Sequence, residues 1–428
     1  MRPAARLAAA IEVLEAWNTS GNTLESVLKD WARAHRFAGA KDRAAISDCA
    51  YAVLRRRAEC AWVIGADTPR GWVLGSLVVE KGLDGDGIDA HLAGTPHAPA
   101  LLSAAERAAL ARPPEALPPW IAGNYPERLH AELLRSLGDR LPAEMAANRE
   151  RAPLDVRVNR LRGTRDEAVA TLASEGIAAE PLALLPEALR CPPGAPVAKT
   201  QAHASGLVEI QDLGSQIAAR LALAQPGELV VDLAAGAGGK ALALAADMAN
   251  RGRVIALDLD RERLSRLVPR AQRAGARIVE TETVPEPGLG ADLVFVDAPC
   301  SGSGTWRRHP DQKWRLTAED LGRLAAVQAE LLDRGAGFVR PGGRLVYVTC
   351  SMLRTENEAA VEGFCARHPA FRARPASDAL ARAHLTAISC SEGASAVSLS
   401  PVLTGTDGFF IAVLDRLEPG GIESAKRD

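Results

Sequence analysis

The fold class this 428-residue sequence predicts is a mostly parallel, doubly wound α/β domain of Rossmann-like type, preceded by an all-helical region and a small α+β module. Three observations carry that prediction. The second half holds β-branched runs that end in Asp or Cys and are mostly followed by helical patterns, the alternation of a parallel sheet. The first hundred or so residues repeat apolar positions at helical spacing. Between these regions, short strand-like and helix-like stretches alternate on a smaller scale. A chain of this length exceeds one ordinary domain. Hydrophobic content of 47% and charged content of 24% are those of a globular protein, and a net charge of −2 leaves any nucleic acid to local basic patches.

In chain order, "MRPAARLAAAIEVLEAW" sets Leu7, Ile11, Leu14 and Trp17 on one face. Glu12 and Glu15 interrupt the apolar run, so an amphipathic helix is expected rather than a targeting segment. Leu24, Val27, Leu28 and Trp31 repeat the pattern, as do Ile46, Cys49, Ala50, Val53 and Leu54 in "KDRAAISDCAYAVLRRR". The closing Arg55, Arg56 and Arg57 fit either a solvated helix end or a phosphate-facing patch. From Gly82 to Pro99 the composition signals a loop. "PLDVRVNRLRG" alternates like a short strand and "TRDEAVATLASEGI" like the helix after it. No apolar run approaches the roughly 18 residues of a membrane span. Seven cysteines, odd in number and without paired spacing, suit a reducing cytoplasm. Cys365 and His368 form a lone near-pair without further ligands, so no metal site is expected.

From Gly206 the strand-like runs are "ELVVDL", "RVIALDLD", "ADLVFVDAPC" and "GRLVYVTCS". Open α/β sheets bind ligands beyond the carboxyl ends of their strands, where Asp232, Asp258, Cys300 and Cys350 fall. The turn Gly236-Ala-Gly238-Gly239-Lys240-Ala241 follows the first run, and small residues there let a backbone approach a ligand closely. Asp258 stands where an acid can accept hydrogen bonds from ribose hydroxyls. The pattern satisfies a dinucleotide fingerprint, and the same geometry suits S-adenosylmethionine.

A cysteine is ordinarily a small buried hydrophobe. Two of them ending strands on the ligand side, one with an acid and a proline before it, suggest more. Carbon 5 of a pyrimidine is a poor nucleophile until a thiolate adds to carbon 6, and an acid near ring nitrogen 3 stabilises the charge of that addition. One thiol attacks, and a second near the adduct can assist its release.

"DLAAGAGGKA", "DAPCSGSG" and "VTCS" together resemble the RNA cytosine-5 methyltransferases. The resemblance covers nearly the whole chain: the N-terminal helices are similar to a NusB-type RNA-binding domain, "RVNRLRG" to a middle module, "GLVEIQDLGSQIAA" to a lead-in helix and "GTDGFFIAVLDR" to a closing strand. It implies a NusB-like domain over 1–125, a small α+β linker and RNA-binding module over 126–204, a Rossmann-like methyltransferase domain over 205–418 and a flexible tail over 419–428. It implies Cys350 as nucleophile, Cys300 as the thiol of release, and Asp297 holding the cytosine edge near the methyl donor. Ala234, Ala235, Gly236, Ala237, Gly238, Gly239 and Lys240 would enclose the methionine part of S-adenosylmethionine, Asp258 its ribose, and Lys240 would also reach the base. The turn departs from the family's Cys-Ala-Ala-Pro-Gly-Gly-Lys by lacking its Cys and Pro. Either Glu282 or Thr283 stands at the position facing adenine.

For RNA, "TWRRHPDQKWR" sets Arg307, Arg308, Lys313 and Arg315 close to the site, where phosphate binding is favoured over a solvated loop, while Trp306 and Trp314 are read as packing. Arg157 and Asn159 are further candidates for RNA contact. The leading expectation is methylation of cytosine carbon 5 in 16S ribosomal RNA by a monomeric cytoplasmic enzyme that uses no metal. The same chemistry on transfer RNA, a non-catalytic RNA-binding or assembly factor and a nicotinamide enzyme are the rivals. The last has no use for two strand-end thiols beside an acid.

Overall fold

The computed structural model describes residues 1–113, 116–282 and 288–419. The chain forms two compact units, Met1–Glu150 with Trp306–Thr317, and Arg151–Thr305 with the chain from Ala318 onward.

The first unit is built of helices, among them Pro3–Thr19, Leu24–Ala34, Ala40–Arg55, Arg57–Ile64 and Pro69–Lys81. The periodic apolar positions meet inside it: Leu14, Leu24, Ile46 and Trp72 are fully buried, and Trp17 meets Trp72 edge to face at 6.4 Å. A further helix, Gly85–Leu92, occupies part of the stretch expected as loop. The Asp84 side chain accepts from the Gly87 amide, and Ile88 and Leu92 are buried, so a cap and two core contacts override poor propensity.

Both basic runs pack into this unit. The Arg57 guanidinium lies 4.0 Å from the Trp72 ring centre and donates to Asp67 at 3.2 Å. Arg55 Nε donates to the carbonyl of Arg307 at 3.1 Å. Arg315 donates to the carbonyls of Trp17 and Ser20 at 2.6 and 2.9 Å, at the C-terminal end of the first helix, where a cation also suits the dipole. Lys313 is 2% exposed; burial, then Arg55 and Arg149, pushes its ammonium down to about 7. Arg307 is buried and Arg308 half-buried. Of the expected phosphate-facing run, Arg307 and Lys313 are buried within the helical unit, while Arg315, half-buried, is engaged by the helix-end carbonyls.

The second unit begins with a small antiparallel sheet: β1 (Leu154–Val158), β2 (Glu180–Pro181), β3 (Ala188–Cys191) and β4 (Val208–Ile210), in the order β2-β3-β1-β4. Residues 126–150 cluster with the first unit, and β4 comes from beyond residue 204. Arg157 and Asn159, on and just after β1, are 4% and 2% exposed. Arg157 donates to Gln211 at 2.7 Å, and Asn159 donates to the carbonyls of Gly206 and Ala274 at 2.9 and 2.7 Å. Their expected RNA contacts are corrected to internal bracing. Arg157→Ala will accordingly lower stability by about 2 kcal/mol, because it strands a buried amide. It will leave the slope of RNA affinity against salt unchanged, which titrations at several salt concentrations check.

Eight further strands form the main sheet: β5 (Leu229–Asp232), β6 (Arg253–Leu257), β7 (Val279–Glu282), β8 (Ala291–Asp297), β9 (Val339–Thr349), β10 (Phe371–Ala373), β11 (Val397–Leu399) and β12 (Phe409–Arg416). Their order is β10-β12-β9-β8-β5-β6-β7, with β11 beside β12. Strands β5 to β9 run parallel, and β12 returns antiparallel on β9. Val230, Val231, Val254–Leu257, Leu293–Val296 and Leu345–Val348 are buried, as central parallel strands covered on both faces must be. This is the Rossmann-like fold expected. Strand order reverses between β5 and β8, the crevice where such sheets bind ligands. Asp232 and Asp297 end those two strands, Asp258 follows β6 and Cys350 follows β9. Among the described residues no helix is long and apolar enough to cross a membrane, and no group of His, Cys, Asp or Glu is placed to hold a metal ion.

Candidate active site

After β5 the chain turns through Ala234–Gly238 into the helix Gly239–Asp247. Gly238 has φ +83°, and a Cβ there would lie 1.9 Å from Leu267 Cδ1, so the turn requires glycine. The Gly236 amide donates to Asp258 at 2.7 Å and the Asp260 amide to its other oxygen at 2.8 Å, which fixes the carboxylate beside the turn. Leu259, next in line, is 87% exposed and offers an apolar face. Ala234 and Ala237 stand where the family has Cys and Pro, and the turn forms with them. These residues fit an adenosyl group: side chains no larger than methyl along the turn, a ribose-facing acid and an apolar neighbour. Three acids, Asp232, Asp258 and Asp297, ring the place, which suits a sulfonium cation better than a pyrophosphate.

Asp297 accepts from Lys240 at 2.6 Å. Burial opposes the charge on Lys240, and the Asp297 carboxylate outweighs it, so the ammonium is held above the ordinary lysine range. Asp232, fully buried beneath, is pushed up to about 7 by burial and then by Asp297, with Lys240 acting against them. Asp297 keeps 33% of its side chain exposed and Lys240 12%, so this pair is the part of the charge cluster open to a substrate.

Cys300 and Cys350 come together with their sulfurs 3.3 Å apart. The contact with Cys350, then burial, raises the Cys300 thiol well above its usual range. Backbone packing holds the two loops close. The Gly304 amide donates to the Cys350 carbonyl at 2.9 Å, the Gly408 amide donates to Gly304 at 2.8 Å, and a Cβ on Gly304 would lie 2.1 Å from the Gly408 carbonyl oxygen. The sequence-predicted residues Asp297, Cys300, Cys350, Lys240, Asp258 and Ala234–Gly239 all belong to this end of one sheet. Thr283 lies outside the described residues. Glu282 ends β7 and is half-buried.

Sequence reading missed the residues beneath the thiols: Ser301, Ser303, Gln328, Ser351, Glu356 and Asn357, all buried and hydrogen-bonded to one another or to the two loops. The signal was present in "CSMLRTENE", an acid and an amide shortly after a strand-end cysteine, at the start of a helix.

Residues 219–415 match the family described as 16S rRNA methyltransferase RsmB/F, and residues 125–198 match the ferredoxin-like domain described for RsmF/B-like methyltransferases. A ribosomal RNA small subunit methyltransferase B of Klebsiella pneumoniae subsp. pneumoniae is 35% identical over 314 residues, 71% of this chain and 70% of that protein. A crystal structure of a methyltransferase homologue from Pyrococcus horikoshii is 27% identical, with a TM-score of 0.58 over 70% of this chain and 98% of that one. The crystal structure of PH0851, 23% identical, superimposes with a TM-score of 0.75 over 97% of this chain and 99% of its own, a likeness of fold.

Proposed function

Because the chain belongs to the RsmB/F family of 16S rRNA methyltransferases, enzymes that take their methyl group from S-adenosylmethionine, we propose that its target atom is carbon 5 of a cytosine and that transfer passes through a bond from Cys350 to carbon 6. The 3.3 Å approach of two thiols beside the Asp297–Lys240 pair carries this reading. A methyl transfer to an already nucleophilic nitrogen or oxygen has no use for such a pair. The Cys350 thiolate adds to carbon 6, and the charge that develops on the ring is met at nitrogen 3 by a proton from the Asp297–Lys240 pair. S-adenosylmethionine, held by the glycine turn and Asp258, would supply the methyl group. Carbon 5 then gives its proton to a solvent water, nitrogen 3 returns its proton to the Asp297–Lys240 pair as the 5,6 double bond re-forms, and the carbon–sulfur bond breaks while Cys300 donates its proton to the departing sulfur.

The target base has to leave its stack to reach Cys350, so an unpaired or loosely paired site is the substrate. In this reading the helical first unit, of NusB type, contributes with Arg308 to RNA binding. Incubation with undermethylated 16S rRNA and methyl-labelled donor, then digestion to nucleosides, will return the label as 5-methylcytidine. Label in any other nucleoside overturns the carbon 5 assignment.

A further inference from the structure

Beneath the two thiols sits a carboxylate that the chemistry above leaves unused. Glu356, fully buried, accepts four hydrogen bonds on its two oxygens. The Ser301 amide and Gln328 Nε2 donate to one oxygen at 2.8 and 3.1 Å. The Ser301 and Ser351 hydroxyls donate to the other, both at 2.5 Å. Its backbone carbonyl takes the Tyr347 hydroxyl at 2.7 Å. None of the four side-chain bonds comes from a cation. A buried carboxylate held only by neutral donors is costly unless its geometry is needed.

Ser301 follows Cys300 and Ser351 follows Cys350, so one carboxylate joins the residue after each thiol. We propose that Glu356 is a positioning residue that ties the Cys300 loop to the Cys350 loop and so sets the distance at which Cys300 releases the Cys350 adduct. This rests on the cysteine roles given above. The two loops depend on it unequally. Cys350 is also anchored by β9 and by Asn357, whose amide donates to the Ser351 carbonyl at 2.9 Å while its oxygen takes the Thr349 hydroxyl at 2.6 Å. On the other side, both the amide and the hydroxyl of Ser301 end on Glu356. Gln328 spans from Glu356 to the Pro299 carbonyl at 3.0 Å and so couples the start of the same loop to the same group. Loss of the clamp displaces Cys300 more than Cys350. The Glu356 charge also acts on Cys300, after the Cys350 contact and burial, in the direction that keeps the thiol protonated.

The test uses the full chain with undermethylated 16S rRNA and S-adenosylmethionine. In Glu356→Gln, kcat should fall about 10- to 100-fold, the scale of an ångström's misplacement of a reacting group. KM for both substrates should stay within about twofold, as expected when only a positioning contact is lost. A covalent RNA–protein band should accumulate on a denaturing gel. Combining Glu356→Gln with Cys300→Ala should give no further loss beyond Cys300→Ala alone. Turnover equal to the parent, or losses that multiply in the double variant, overturns the proposal. If Glu356→Gln melts below the assay temperature, Ser301→Ala, which removes a single strut, takes its place; a Ser301→Ala protein with parental turnover and no band overturns it equally. A Cys300→Ala control without a band identifies a different failure, that of the cysteine roles, and the clamp falls with them.

Discussion

Cys350→Ala yields no covalent RNA–protein band and loses methyl transfer by at least about 10³-fold, whereas Cys300→Ala accumulates the band while releasing little product. The two variants differ this sharply because the thiols, 3.3 Å apart, serve different steps in the proposed reaction. The Cys300 thiol is raised, first by the contact with Cys350 and then by burial. A thiol that holds its proton is a poor attacker and a good donor to a departing sulfide. Cys350 stands directly at the end of β9, on the side of the sheet where Asp297 and Lys240 lie. Without Cys300, addition and methylation proceed, but the adduct lacks the neighbour that helps it leave. Denaturing gels of each variant with undermethylated 16S rRNA, read beside filter-bound label, check both halves. A band in Cys350→Ala and none in Cys300→Ala would exchange the roles.

Much of this centre was legible in the sequence because it is written in short local signals. A strand followed by small residues, or by an acid or a cysteine, marks a carboxyl-end loop, and β5, β6, β8 and β9 place those loops side by side. The order of the strands needs no long-range contact to be guessed once the β and α patterns alternate. The helical unit was legible for the same reason, as periodic apolar residues became its core.

What the sequence hid depends on partners distant in the chain. Arg157 alternates like an exposed strand residue, yet its partner is Gln211, beyond β4. Arg315 looks like a loop cation, yet it closes the end of the first helix. Arginine serves equally for phosphate and for backbone carbonyls, and composition cannot separate the two uses. Glu356 reads as an ordinary polar residue at a helix start; only the meeting of two loops reveals that it sits at the centre of a buried network.

Asp297→Ala abolishes transfer, by at least about 10³-fold, and leaves the fold intact. Three carboxylates and one ammonium share this corner, and the charge left behind decides the outcome. Removing Asp297 deletes a like charge next to Asp232, the second cause, after burial, that holds that acid near 7. The Asp232 value must then fall, and Lys240, deprived of its 2.6 Å partner, finds a more readily ionised neighbour beneath it. Asp232 remains as a charge that acts on Lys240, so the melting temperature at neutral pH should stay within a few degrees of the parent. The open part of the cluster is lost, however. Asp297 is a third exposed while Asp232 is fully buried, so the remaining acid does not reach the ring. With nothing to meet the charge on the ring, addition of Cys350 becomes unfavourable and the covalent band disappears together with the product. Asp297→Asn keeps the shape without the charge and should lose transfer nearly as fully, because the open acid–ammonium pair is gone. Thermal melts beside single-turnover methyl transfer measure both effects, and normal turnover by either variant would remove Asp297 from the chemistry.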